Sequence, residues 1–324
     1  YTGSERAPRY PARFNYLPDG KAYLQLSADG QKLVKYDTRT GKELETVMDL
    51  THTRETTIKS IEGYKVSDRG DKILVWRNAR PIYRRSFDAE YYVYEVRTRI
   101  LRPLSTDHSR QRAPLFSPDG RMVAFVGADN NIYLKKLDYW TELAVTTDGK
   151  VNEIINGVPD WVYEEEFTTS SSMTWAPDNL NLCYIKYDES QVPMFTFPLY
   201  EGACNPNPDY ALYPGDFTYK YPVAGKPNSV VSVHSYDVET RKTKRIELPD
   251  KRIEYIPRIT YAYSPERLIV VALNREQTRM EIYAANPKTT VVKSLVVEEA
   301  DAWLSTATYE DIHYYPDFFV ISSG

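Results

Sequence analysis

Short apolar runs, each introduced by a compact polar turn, set the rhythm of this chain. The turns read SADG at 27–30, SDRG at 67–70, SPDG at 117–120, APDN at 176–179 and SPER at 264–267. After them come KLVKYD, KILVWR, MVAFVG, LCYIKYD and LIVVAL, runs of strand length and strand composition. Asp caps its own backbone and Gly accepts positive φ, so such tetrads break one strand and start the next. A second signature follows each: YDTRTGKEL at 36–44, YEVRTRILRPL at 94–104, LDYWTELAV at 137–145, YDVETRKTKRIEL at 236–248 and YAANPKTTVVKSL at 283–295. Strand, polar turn, strand is a hairpin. Turn, strand and hairpin recur at roughly 40 to 60 residues, the interval of propeller blades. The longest gap holds the 189–228 stretch. The pattern predicts an all-β chain, a β-propeller of four-stranded blades, in preference to an irregular β-sandwich array. Five units are visible, and YYPDFFVISSG at 314–324 opens a sixth. Little of the chain has sustained helical periodicity.

One stretch breaks the rhythm. Residues 189–228 hold many of the 21 prolines and a run of aromatics. A structureless loop of that length is uncommon inside a compact domain and usually functional. Its Tyr and Phe content predicts an arm that docks on something.

Composition agrees with strands, since 28 of the 324 residues are Tyr. Charged residues make up 27% and nearly balance, at net −4 with no basic stripe. That argues against nucleic acid as a partner, which requires clustered Lys and Arg. No apolar run reaches the roughly 18 residues of a membrane span. The opening YTGSERAP carries neither Met nor a leader pattern, and reads as a mature form or a chain from which a leader has been removed. Cys183 and Cys204 are either two thiols or a pair.

Catalytic patterns are missing. There is no G-x-S-x-G, no P-loop and no G-x-G-x-x-G. His52, His108, His234 and His313 are scattered without zinc spacing, so neither a metal nor a cofactor is expected. What stands out is DWVYEEEF at 160–167, three adjacent glutamates behind Trp161 and Tyr163. One reading is a solvated charge run at a helix N-terminus. The other follows from the aromatic neighbours, which imply partial burial, where like charges require a cation. On a strand, neighbours face opposite ways. On a helical turn they lie about 100° apart and can converge on one cation. A primary ammonium with three donors, such as a peptide N-terminus, suits such a pair.

NGVPDWVYEEEF, then WAPD, YDESQVP and YPVAGKPN, resemble in order and spacing the motifs of the dipeptidyl peptidase IV family of prolyl-oligopeptidase-like serine peptidases. The match is densest over about 150–230, and the blade pattern extends it along the chain. The resemblance implies an N-terminal propeller of about eight blades covering a C-terminal α/β-hydrolase domain, in an enzyme that releases N-terminal dipeptides with Pro or Ala in second place. It assigns Glu165 and Glu166, carried on a short helix, to the substrate's free amine, and leaves Glu164 without that role. YRRSFDAEYYVYEV at 83–96 resembles the segment whose Arg contacts a substrate carbonyl, which puts the role on Arg84 with Arg85 as the alternative. The late G-W-x-x-R-F segment is poorly matched by DAWLSTATY: Trp303 aligns, the Arg-Phe is absent, and Tyr309 is the weak candidate there.

The resemblance further implies that the 189–228 arm joins homodimers, and that the protein is periplasmic, at the cell surface or secreted. The catalytic Ser, Asp and His and the closing blades are then expected beyond residue 324. By itself the chain is expected to be inactive, the specificity half of an active site. Two other functions fit less well. A prolyl tripeptidyl peptidase would shift the amine anchor, and a non-catalytic propeller would bind partners only.

Overall fold

The computed structural model describes residues 15–17, 19–203 and 206–304, and the backbone of 312–314 and 319–321. Two compact units divide the chain, residues 1–79 with 90–106, and residues 80–89 with 107–324.

The first unit holds one antiparallel sheet and most of a second, whose 80–89 tip belongs to the other unit. One is β1 (Asn15–Tyr16), β2 (Ala22–Leu26), β3 (Lys32–Asp37) and β4 (Glu43–Asp49), hydrogen-bonded in chain order. After the short β5 (Arg54–Glu55) comes a sheet of β6 (Gly63–Val66), β7 (Lys72–Pro81), β8 (Phe87–Glu95) and β9 (Ile100–Pro103), with β5 parallel to β9. Their core joins Leu33, Met48, Ile61, Ile73, Val75 and Tyr94. The turn chemistry is visible at Ser27, whose carbonyl accepts from Gly30 N (2.9 Å) while its hydroxyl accepts from Lys32 N (2.9 Å). Gly30 sits at φ +69°, and a Cβ there would lie 2.5 Å from the Ile61 carbonyl oxygen, so only glycine fits.

The second unit contains β10 (Gln111–Phe116), β11 (Met122–Val126), β12 (Ile132–Lys136) and β13 (Thr141–Ala144) in one meander, with Asp88 and Ala89 of β8 paired to β10. Next come β14 (Ile154–Asn156), α1 (Trp161–Glu166), β15 (Met173–Trp175), β16 (Asn181–Asp188), β17 (Met194–Leu199), β18 (Gly215–Lys220), β19 (Val230–Asp237) and β20 (Lys242–Ile246). Here β14 and β15 lie end to end along one edge of β16, which then pairs β19 and β20. The next sheet is β21 (Ile253–Tyr261), β22 (Leu268–Asn274), β23 (Arg279–Ala285) and β24 (Val292–Glu299), and β25 (Ile312–Tyr314) pairs β26 (Phe319–Ile321) as a further hairpin. Its core runs through Val126, Leu134, Tyr163, Leu182, Tyr187, Val233, Val270 and Ile282.

Successive, mostly four-stranded antiparallel units, with α1 the only α-helix among the described residues, make this an all-β propeller chain, as its sequence pattern predicts. Each polar tetrad lies between two strands, and each second signature forms the closing hairpin of its sheet. The variable distance between them has a structural cause. In the first sheet both flank β3. In the others two strands intervene, joined by the connection that accepts insertions: the 82–86 tip, and the arm β17–β18 between β16 and β19. Among the described residues no helix is long and apolar enough to cross a membrane, and no group of His, Cys, Asp and Glu could hold a metal ion. Cys183 is a buried free thiol, 3.2 Å from Tyr261 Oη and pushed up to about 11 by burial; Cys204 lies outside the described residues.

Candidate functional site

The glutamates occupy an excursion in the edge of one blade. Gly157 N donates to the Ile185 carbonyl (3.0 Å) and Ser172 N to the Gly157 carbonyl (2.9 Å), which pinches the excursion at its base. Between these points Asp160 starts α1 as its N-cap, Oδ1 accepting from Tyr163 N (3.0 Å). Its other oxygen accepts from Ser229 Oγ (2.6 Å), and burial holds this carboxyl above its ordinary range. Tyr163 anchors the helix from below: it is 1% exposed, edge-on to Phe167 and Tyr187, and its hydroxyl accepts from Ile256 N (2.9 Å). Trp161 packs on Tyr221, with ring centroids 4.3 Å apart.

With the helix so fixed, its period distributes the three carboxylates. Glu164 points inward and is fully buried; Glu165 is half-buried; Glu166 is exposed. The tip of the β7–β8 hairpin meets this face. Arg85 N and Ser86 N both donate to Glu164 Oε1, the latter at 2.7 Å, and the Arg85 guanidinium donates to the Glu164 carbonyl oxygen (3.2 Å). Next to this junction Arg84 Nε donates to Glu165 Oε2 at 2.8 Å. The Arg84 side chain is 71% exposed and that of Glu165 16%. Such a rim pair contributes only about 0–1 kcal/mol, so a ligand can compete for either partner.

Other segments complete the surroundings. Tyr83 stacks obliquely on Tyr219, and its phenol is pushed well up by burial and by Glu189, Asp160, Tyr219 and Glu164. Near Glu166 stands Tyr255, whose phenol is raised by burial first, with Glu254 and Glu166 adding. Its hydroxyl accepts from Asn228 Nδ2 (2.9 Å). Buried Glu189 lies close enough to Asp160 to feel its charge, and its carboxyl is pushed up to about 7, chiefly by burial. Thus residues of DWVYEEEF, ESQVP and YPVAGKPN, separated in sequence, are brought together in one acidic locality beside Arg84.

Against the sequence expectations, Glu165 and Arg84 are in direct contact and Glu166 stands beside them, open to solvent. Arg85, the alternative, turns toward the helix backbone. Trp303 is exposed after β24, and none of the described contacts joins it to α1. Tyr309 lies outside the described residues. What sequence reasoning missed is the work of Glu164 and of Ser86 N. The signal was available in part, because consecutive helical positions fan by about 100°, so three glutamates cannot all face outward.

The model of the dipeptidyl peptidase IV N-terminal region matches residues 67–322. The chain belongs to this family. It is 34% identical over 253 residues to a probable dipeptidyl-aminopeptidase B of Aspergillus oryzae, covering 75% of this chain and 28% of the relative. A probable dipeptidyl-aminopeptidase B of Aspergillus niger is 31% identical over 310 residues, covering 90% of this chain and 33% of the relative. Among solved structures, Porphyromonas gingivalis dipeptidyl peptidase 4 superposes with a TM-score of 0.86 at 39% identity, over 94% of this chain and 42% of that one. A putative dipeptidyl aminopeptidase IV of Bacteroides ovatus shares the fold, with a TM-score of 0.65 at 18% identity. The chain thus spans about a third of the length of the curated relatives it matches.

Proposed function

We propose that this chain is the substrate-gating propeller of a serine-type dipeptidyl peptidase that releases N-terminal Xaa-Pro and Xaa-Ala dipeptides. Glu165 and Glu166 hold the α-ammonium of the peptide, and Arg84 takes a backbone carbonyl. The observation that carries this reading is the Arg84–Glu165 pair beside the exposed Glu166, on a helix locked from beneath by Asp160 and Tyr163. Two adjacent carboxylates give an ammonium more acceptors than one, and the guanidinium offsets their mutual repulsion until the ammonium arrives. Because the helix is already fixed, little ordering cost accompanies binding. The anchor then limits how far a chain can extend toward a nucleophile, which a following α/β-hydrolase domain would supply. The intact glutamate pair favours dipeptide over tripeptide release. The exposed Phe195, Phe197, Phe217 and Tyr213 of the arm suit a homodimer contact. Export to a periplasm, cell surface or medium goes with the family resemblance, and fractionation of the native host tests it.

The experiment is steady-state kinetics of the full-length enzyme on a Xaa-Pro amide with a free amine. A charge-assisted hydrogen bond contributes about 1.5–3 kcal/mol, so Glu165→Gln or Glu166→Gln should each lose about 10- to 150-fold in kcat/KM. KM should also climb as pH passes roughly 7.7–8.0, where an α-amino group loses its proton. Unchanged kinetics in both variants would exclude the amine anchor. Release of tripeptides in place of dipeptides would favour the alternative peptidase.

A further inference from the structure

The first glutamate of the triplet has no part in the anchor just proposed, yet it is the most deeply buried of the three. A buried carboxylate is costly unless answered, and a protein selected for stability alone does as well with an apolar side chain. Glu164 is answered on one side only. Its Oε1 accepts two backbone N–H groups, from Arg85 and Ser86, while Oε2 is buried with no hydrogen-bond partner among the described residues. The two N–H groups belong to the residues that follow Arg84 in the hairpin tip, and Glu164 precedes Glu165 in the helix. The clamp is therefore one residue from the Arg84–Glu165 contact on both segments. The loop it holds is short, closed by Ile82 N donating to the Ser86 carbonyl at 2.9 Å, so fixing residues 85 and 86 fixes the base of the exposed Arg84 side chain.

We infer that Glu164 is a positioning residue for substrate binding: it docks the 80–89 hairpin tip onto α1 and so sets the register of Arg84 against Glu165. It acts through Arg84 and does not touch the peptide. The inference rests on the amine-anchor reading for its consequence in catalysis.

The test is a double-mutant cycle in the full-length enzyme, again with a free-amine Xaa-Pro amide. Glu164→Ala should raise KM by about tenfold, the size of one lost charge-assisted contact, with kcat changed less than about threefold. In an Arg84→Ala background the same substitution should add less than about twofold, because residues acting in series are not additive. Glu164→Gln keeps the shape and an acceptor, and should give a smaller loss with the same non-additivity. Hydrogen exchange at the Arg85 and Ser86 amides should speed up in both variants. Equal, additive losses in both backgrounds would overturn the inference, as would an Arg84→Ala enzyme with unchanged KM. So would failure of both Glu164 variants to fold, which would make the residue a requirement of the fold. Loss of activity in Glu165→Gln without coupling between Glu164 and Arg84 would remove the inference and leave the amine anchor standing. Unchanged kinetics in Glu165→Gln and Glu166→Gln would remove the anchor itself.

Discussion

Glu189 gives the protein a pH dependence that one substitution should expose. The residue is 5% exposed at the end of β16, where the arm departs, its N–H donating to the Glu153 carbonyl and its own carbonyl accepting from Val192 N. Burial pushes its carboxyl from 4.5 up to about 7; Asp160 adds to the shift and Lys220 opposes it. The folded state thus binds the proton that the unfolded chain releases, so stability falls as pH rises from about 4.5 to about 7. One proton corresponds to about 1.4 kcal/mol per pH unit, so the penalty reaches about 3 kcal/mol above pH 7. His234 on β19 works in the opposite sense. Burial pushes its imidazole down to about 4, with Lys186 and Arg245 adding, so its contribution grows as pH rises from about 4 to about 6.5. Between roughly pH 4.5 and 6.5 the two slopes nearly cancel. Glu189→Gln removes one of them. The variant should match the wild type near pH 4.5 and exceed it at pH 8 by about 3 kcal/mol, or roughly 4–6 °C in Tm at about 2.1 cal/mol/K of unfolding entropy per residue. Relative to the wild type, its stability should tilt upward as pH rises from about 4.5 to about 7. Thermal unfolding of both proteins at half-unit steps from pH 4.5 to 8 reads this directly. A difference between them that is the same at both ends of the range would refute the assignment of the proton to Glu189.

Two further outcomes check the framework around the site. Tyr163→Phe removes the acceptor for Ile256 N in a fully buried setting and should cost about 1–3 kcal/mol; denaturant unfolding measures it, and a loss below about 0.5 kcal/mol would show that the hydroxyl does not anchor α1. Replacing Phe195, Phe197 and Tyr213 of the arm by Ser should shift a homodimer of the full-length enzyme toward monomer in sedimentation, while a dimer of unchanged strength would move the interface elsewhere.

Much of this architecture is readable in the chain because its causes are local. SADG, SDRG, SPDG, APDN and SPER lie between strands since Ser and Asp oxygens satisfy turn N–H groups within five residues, as at Ser27 and Ser117. The helix over DWVYEEEF is legible for the same reason: Asp160 is its cap, and three glutamates on a strand would serve no single face. Local rules also place Glu165 and Glu166 on neighbouring directions.

Which of the three carboxylates faces inward was decided elsewhere. Glu164 is buried because a hairpin tip 79 residues earlier in the chain offers it two N–H groups, and no periodicity within 160–167 encodes that arrival. The same holds for the Glu189 carboxyl beside Asp160, and for the split edge strand, where β14 and β15 share β16 and leave room for α1. Turns and helix caps close within a few residues, so their hydrogen bonds are written in consecutive positions. Desolvation and ion pairing depend on which segments meet, and only the packed blades determine that.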